Sequence, residues 1–471
     1  MFVIGVFALL QCWFLPGLVL LTLFKNLKFS EKLFLSIPAS FFINYILVFT
    51  LIFLKSYTQS ILISILILET IIIFHFFKNE IKKISQLNIT INLEINNLMI
   101  IFFLLIVLFL AVNSIGKIHL PDDPLTMWDF WARELASGKL PSNSMDYPLG
   151  YSILQSITYV MIGTKNIEFF AQAVQLIFPL SLFLVFFQML TNETKDKFLI
   201  KINFLITIFL ILNQFRFALF AGFVDIALVL SSCIILYLID YTNRNKNFLN
   251  SNKNIILLII ILSVPGITKQ TGLFLSLISP ILIFYKNKID KKFLLDLIKI
   301  YSFIFLIIFP WYIYKFLEFK NGYESLNFLN LLSLHFNKPY LIKIKNTLNL
   351  IFGKGLIIFL PLFLISFLRS NSRKIIFLVI LPYYLLWSFF YGNDARNFAL
   401  ILPFLGYVLA NSVEIIINFL KKKLKIKILK ELFLVIGLIF IVLFINQKRS
   451  YEYMYNKQLK QEILRNGKNL K

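Results

Sequence analysis

Cysteine and histidine are scarce, with two Cys and three His in 471 residues. Cys12 and Cys233 both lie inside apolar runs, so neither a disulfide framework nor a zinc site can be assembled from them. His75, His119 and His335 stand apart from one another, which argues against a histidine-rich metal site. Acidic side chains are also few, 23 Asp and Glu against 47 Lys and Arg. Short alternating segments of the β-barrel kind are missing. So is any solenoid period or inverted repeat of the sort on which many transporters are built.

What fills the chain is apolar surface. Hydrophobic residues make up 59% of it and the mean hydropathy is +0.81. A soluble domain of this length could not hide so much, so lipid must be the solvent for most of it. Apolar runs of about 20 residues, each able to cross the hydrocarbon core as a helix, recur from end to end. The fold class is therefore all-α and polytopic, with about 13–14 transmembrane helices. Candidate spans are 2–24, 34–54, 60–77, 98–116, 167–190, 199–220, 224–240, 255–267, 272–285, 293–316, 349–368, 375–391, 398–419 and 431–447. Gln11 before Cys12 is the wrong chemistry for lipoprotein processing, so residues 1–24 read as a retained first span. The two short spans meet at Pro265-Gly266, where a helix is expected to break. Asn88 and Asn192 begin glycosylation sequons, a pattern short enough to arise by chance.

A net charge of +24 raises nucleic acid as a partner, but the lysines sit in short loops between apolar runs, which excludes it. Loops 25–33, 78–97, 191–198, 241–253, 286–292, 369–374 and 421–430 all carry excess Lys and Arg. Counted alternately they fall on one side, the cytoplasmic one. The other side receives 117–166, 221–223, the Lys269 turn, 317–348 and 392–397. Between 117 and 150 the acids outnumber the bases, as an outer loop should. The basic tail 448–471 falls outside on this count, against the usual bias, unless it lies on the membrane surface.

That outer loop holds the most informative stretch, Pro121 to Leu135. Read as a helix from Pro124, it places Trp128, Trp131, Ala132 and Leu135 on one face and Asp129 and Arg133 opposite. Two tryptophans on the apolar face suit a helix lying among lipid headgroups. Asp122 and Asp123 then sit at its N-terminal end, close to the bilayer surface. Asp123 before Pro124 is also a good N-cap, so capping and catalysis both remain open readings, as does an active role for Asp122 or Asp129. Asp146-Tyr147-Pro-Leu-Gly150 follows as a turn into a second surface-lying or re-entrant helix.

Three further charges lie near outer span ends: Asp225, Lys269 within Gly266 to Gly272, and Arg396 within Gly392 to Asn397. Ionisable groups at membrane depth favour a functional role. For Lys269 and Arg396, snorkelling to the interface is an equal alternative. Glu69 and His75 lie in or beside one span, where helix packing explains them more simply.

Asp123, Trp128 and Ala132, then Asp146 to Gly150 before Gly163, resemble the first outer loop of GT-C-type membrane glycosyltransferases. That superfamily includes the protein O-mannosyltransferases and the aminoarabinose transferases of lipid A. The Asp225 region, the Lys269 turn and the late Arg396 are similar to it as well, so the resemblance covers roughly residues 98–420. It departs in residues 1–97, which add a three-helix extension, and in Asp122-Asp123-Pro124, which replaces an Asp-Glu pair. Residues 421–471 form a last span and basic tail without a soluble domain.

The resemblance implies transfer of a sugar from a polyprenyl-phosphate carrier to a hydroxyl of a glycan, lipid or protein, usually with inversion. Asp123 is then the base, with Asp122 second, while Lys269 and Arg396 hold the phosphate. Asp225, Tyr147 and Trp128 complete the substrate site. No cofactor follows from the residues, though a divalent metal could assist Asp122 and Asp123. The implied location is a bacterial inner membrane with the site facing the exterior. Alternatives are an O-antigen polymerase or ligase, and a transporter or lipid flippase.

Overall fold

The computed structural model describes residues 1–85, 124–141, 144, 147–191, 197–215, 223–245, 248–284, 291–320, 339–352, 356–390 and 395–424. Among these, regular structure is helical throughout, without strands. Among the described residues, seven helices are long and apolar enough to cross a membrane: Phe29–Phe53, Gln59–Lys78, Phe169–Leu190, Asp225–Arg244, Phe293–Glu318, Ser370–Phe389 and Arg396–Lys422. The chain is a polytopic, all-helical integral membrane protein. Candidate spans 98–116 and 431–447, both sequons and the basic tail lie outside the described residues.

Three spans differ in detail from expectation. Span 2–24 is two helices, Phe2–Trp13 and Leu15–Leu21, bent by 43°. Pro16 opens the second helix, and Gly17 lets it approach the Phe29–Phe53 helix. There its N–H donates to Ser40 Oγ at 2.9 Å, and a Cβ would meet the Ser36 carbonyl at 2.0 Å. Span 349–368 starts earlier than expected, within the Tyr340–Phe352 helix, and continues in Leu356–Ser366, with 353–355 outside the described residues.

The third correction concerns the Pro265-Gly266 break. The Asn252–Thr268 helix runs through both residues, and the chain reverses only afterwards, at Lys269 to Thr271, before the Gly272–Phe284 helix. Proline is tolerated because its surroundings re-satisfy the backbone. Gly266 N–H donates to Ser276 Oγ at 3.1 Å across the hairpin. The constraint that sets the turn is Gly272, where a Cβ would stand 2.0 Å from the Pro265 carbonyl oxygen.

Polar contacts tie helix ends together at both ends of the bundle. At one end Tyr57 bonds Ser156 at 2.8 Å, Gln59 donates to the Met161 carbonyl at 2.7 Å, and Lys315 reaches the Pro141 carbonyl at 3.3 Å. At the other end Tyr237 donates to Glu31 at 3.0 Å, and Arg369 pairs with Glu414 at 2.8 Å. The N-terminal helices are built into the same core: Leu21, Phe34 and Phe41 belong to one buried cluster with Tyr151, Ile157 and Leu262. Glu69 takes a packing role there, accepting from Gln11 at 3.3 Å, while Asn44 donates to the Gln11 carbonyl at 3.0 Å.

Another close helix crossing joins Lys197–Phe215 to Leu402–Leu424 at Gly406, where a Cβ would meet Thr207 Oγ1 at 2.2 Å. Gly406→Leu is expected to destabilise the bundle by about 1–3 kcal/mol through overpacking. A lower unfolding midpoint in detergent checks it; an unchanged midpoint would mean the helices are not in contact there.

Candidate functional site

The outer-loop segment forms a π-turn, Pro124–Asp129, and a short helix, Phe130–Leu135. Its apolar face is the one the period predicts, but protein covers it instead of lipid headgroups. Trp128 and Trp131 are 3% and 1% exposed. Trp128 packs edge-on against Trp131 at 5.1 Å, Tyr147 at 5.3 Å and Tyr151 at 6.4 Å, and Ser152 Oγ donates to its carbonyl at 2.9 Å.

The opposite face is covered too. Asp129, on that face, is 4% exposed. A carboxylate taken out of water must be paired and hydrogen-bonded. Asp129 accepts from Arg133 Nε at 2.7 Å and from the Tyr159 hydroxyl, while Arg133 also pairs with Glu168 beside the next span. Burial alone would lower the Arg133 pKa, but the hydrogen bond and charge of Asp129, with Tyr159 and Glu168, raise it on balance. Asp129 thus serves as a clamp. Asp122, Asp123 and Asp146 lie outside the described residues.

The clamp delivers the Tyr-Pro-Leu-Gly turn to the hairpin. Gly150 begins the Gly150–Ile162 helix against the Ile267 carbonyl, which a Cβ would approach to 2.5 Å. Two residues beyond Ile267, Lys269 Nζ pairs with Asp225 Oδ1 at 2.7 Å. The two residues are 6% and 1% exposed. Asp225 opens its helix, where the macrodipole favours a negative charge.

Arg396 joins from a third direction, its guanidinium 4.4 Å from the ring of Phe223, two residues before Asp225. Tyr383 completes a closed circuit of contacts. Its hydroxyl donates to the Asn397 carbonyl at 2.5 Å, and its ring lies 4.9 Å from Phe274 in the first turn after Thr271. On this circuit Thr271 Oγ1 and Asn397 Oδ1 are buried without a hydrogen-bond partner among the described residues. Buried polar atoms are nearly always partnered, so two orphans beside two cations mark a place where a polar ligand could complete the bonding.

Sequence reasoning thus named Lys269, Asp225 and Arg396, and the structure gathers them around residues 223–225. Trp128 and Tyr147 are gathered separately, within the outer loop. It missed Thr271 and Asn397, although both lie inside the quoted motifs, and Tyr383, which carries no local signal. A wholly apolar cavity of about 230 Å³ adjoins the circuit, lined by Phe359, Phe363, Ile380, Tyr384, Phe398 and Leu405. Among the described residues no group of three or more His, Cys, Asp or Glu could hold a metal ion.

These features define a polytopic helical membrane protein with a buried, mixed-charge site where several helix ends meet. No family model matches the chain, and neither a curated protein nor a solved structure does.

Proposed function

We propose that this protein is a membrane glycosyltransferase that moves a sugar from a polyprenyl-phosphate carrier to a hydroxyl acceptor. The acceptor is a cell-envelope glycan, lipid or protein at the outer face of a bacterial inner membrane. The observation that carries the reading is the convergence of Lys269, Asp225 and Arg396 on one end of the bundle, with Thr271 and Asn397 unpartnered beside them.

The chemistry follows from the donor. Its phosphate departs as a stable anion, so no general acid is required, unlike the paired carboxylates of glycosidases. The acceptor oxygen bonds to the anomeric carbon as the carbon–phosphate oxygen bond breaks, and Asp123 takes the hydroxyl proton. Lys269 and Arg396 stabilise the departing phosphate where low dielectric makes fixed charge effective. Asp225 holds Lys269 in place through their ion pair, and Trp128 and Tyr147 frame the outer loop. The apolar cavity beside Phe398 supports a donor with a hydrocarbon tail.

The test incubates purified protein with a panel of polyprenyl-phosphate sugars and membrane extract, following sugar transfer. Arg396→Ala is expected to raise the donor KM about tenfold or more, the loss of a charge-assisted contact. Failure of every donor, or an unchanged KM in the variant, counts against the reading. A transporter is the second reading, favoured by the Gln11–Asn44–Glu69 cluster, in which Gln11 Oε1 and Glu69 Oε2 lack partners among the described residues. Donor-dependent uptake into proteoliposomes without transfer would select it.

A further inference from the structure

Lys315, near the end of the Lys291–Lys320 helix, is a buried cation that sequence reasoning did not single out; it is 5% exposed. Its ammonium donates to Glu318 at 2.6 Å and to the Pro141 carbonyl at 3.3 Å. It also lies 5.0 Å from the ring of Trp311 and 5.3 Å from that of Tyr314. Pro141 belongs to the outer loop, and Glu134 of that loop lies within electrostatic reach of Lys315. Burial raises the Glu134 carboxyl above its ordinary value, and Lys139 and Lys315 pull it back.

Among the described residues, two atoms at this junction are buried without a hydrogen-bond partner: the indole nitrogen of Trp311 and Oε2 of Glu134. Trp311 is itself 5% exposed. Its N–H can only donate, and an ionised carboxylate oxygen can only accept. A group that satisfies both must accept one hydrogen bond and donate another. Phosphate and carboxylate anions are poor candidates, since Glu134 and Glu318 would repel them. An ammonium has no lone pair for the indole and would compete with Lys315. A hydroxyl meets both demands.

We infer that Trp311, Glu134 and Lys315 form a binding site for a neutral polyhydroxyl ligand, a sugar, where the outer loop meets the Lys291–Lys320 helix. The site uses none of the residues of the Lys269–Arg396 circuit and does not depend on the transfer reading. The two are neighbours, because Ile308, three residues before Trp311, packs on Gly266, where a Cβ would meet it at 2.3 Å.

The test is an NMR titration of detergent-solubilised protein carrying nitrogen-15 in its five tryptophan indoles. Trp311 is assigned by the signal lost in Trp311→Phe. Glucose, mannose and N-acetylglucosamine are added in turn, with inorganic phosphate as the anionic control. At least one sugar should move the Trp311 signal saturably while phosphate leaves it in place. Glu134→Ala should weaken that binding roughly tenfold, as expected for one lost hydrogen bond. Trp311→Phe keeps the ring beside Phe49 and Lys315 but removes the donor, and calorimetry should show a similar loss. If no sugar moves the signal in folded protein, water alone fills the junction and the inference fails. It fails equally if phosphate moves the signal and the sugars do not.

Discussion

Replacing Lys269 by alanine is expected to destabilise the protein by about 3–5 kcal/mol, the range for removing one partner of a buried ion pair. Asp225 is left at 1% exposure without the ammonium that sits 2.7 Å from it. The start of the Asp225–Arg244 helix compensates in part, but a macrodipole contributes at most about 2 kcal/mol in partly buried geometry. The loss should appear as a lower midpoint of thermal or denaturant unfolding in detergent. The double variant Lys269→Met with Asp225→Leu should recover most of it, because replacing both charges by apolar groups is often neutral or stabilising. Recovery also separates stability from chemistry. The double variant should fold yet bind the lipid-phosphate donor weakly, and donor binding equal to that of the parent protein would remove Lys269 from the site. A single variant as stable as the parent would show that the pair is not buried.

The contrast between what was legible in the sequence and what was not has a physical origin. Long apolar runs are legible because lipid leaves a backbone few ways to satisfy its hydrogen bonds, and a helix is one. The basic loops are legible for the same kind of reason, since charge placement acts along the whole chain. The outer-loop helix was half legible. Its period picked out Trp128, Trp131, Ala132 and Leu135, all of which are buried. The cover of the charged face was not legible, because Tyr159 and Glu168, the partners of Asp129 and Arg133, lie 30 and 35 residues further along.

A similar gap explains the hairpin. Proline marks a local weakness that a reader can see, whereas Gly272 matters only because of a close approach made after folding. Lys269 and Asp225 were each placed near an outer span end. Nothing local could pair them across 44 positions. Lys315 went unnoticed because a lysine at a span end reads as snorkelling, and only the buried contact with Pro141 and Glu318 says otherwise.

Asp123→Asn is expected to lower the rate of sugar transfer about 100-fold to 10,000-fold, the usual contribution of a positioned general base. That corresponds to roughly 2.7–5.4 kcal/mol of barrier. The substitution is chosen to separate two roles that one carboxylate can hold at once. Asparagine caps a helix about as well as aspartate and is followed here by the same Pro124, so the start of the outer-loop helix should persist. Stability should therefore change little while transfer collapses. A cap without a catalytic role gives the reverse, with Asp123→Asn near full activity and Asp123→Ala lowering the unfolding midpoint. Asp122→Asn, measured in parallel, decides which of the adjacent acids accepts the proton. Donor KM should stay close to that of the parent in both asparagine variants, because the phosphate is assigned to Lys269 and Arg396 and not to the acids. A rise in KM with an unchanged kcat would move Asp122 and Asp123 from proton transfer to substrate binding. Full activity in both variants would place the base elsewhere in the protein, with Asp129 and Glu134 the next acids of the same loop to test.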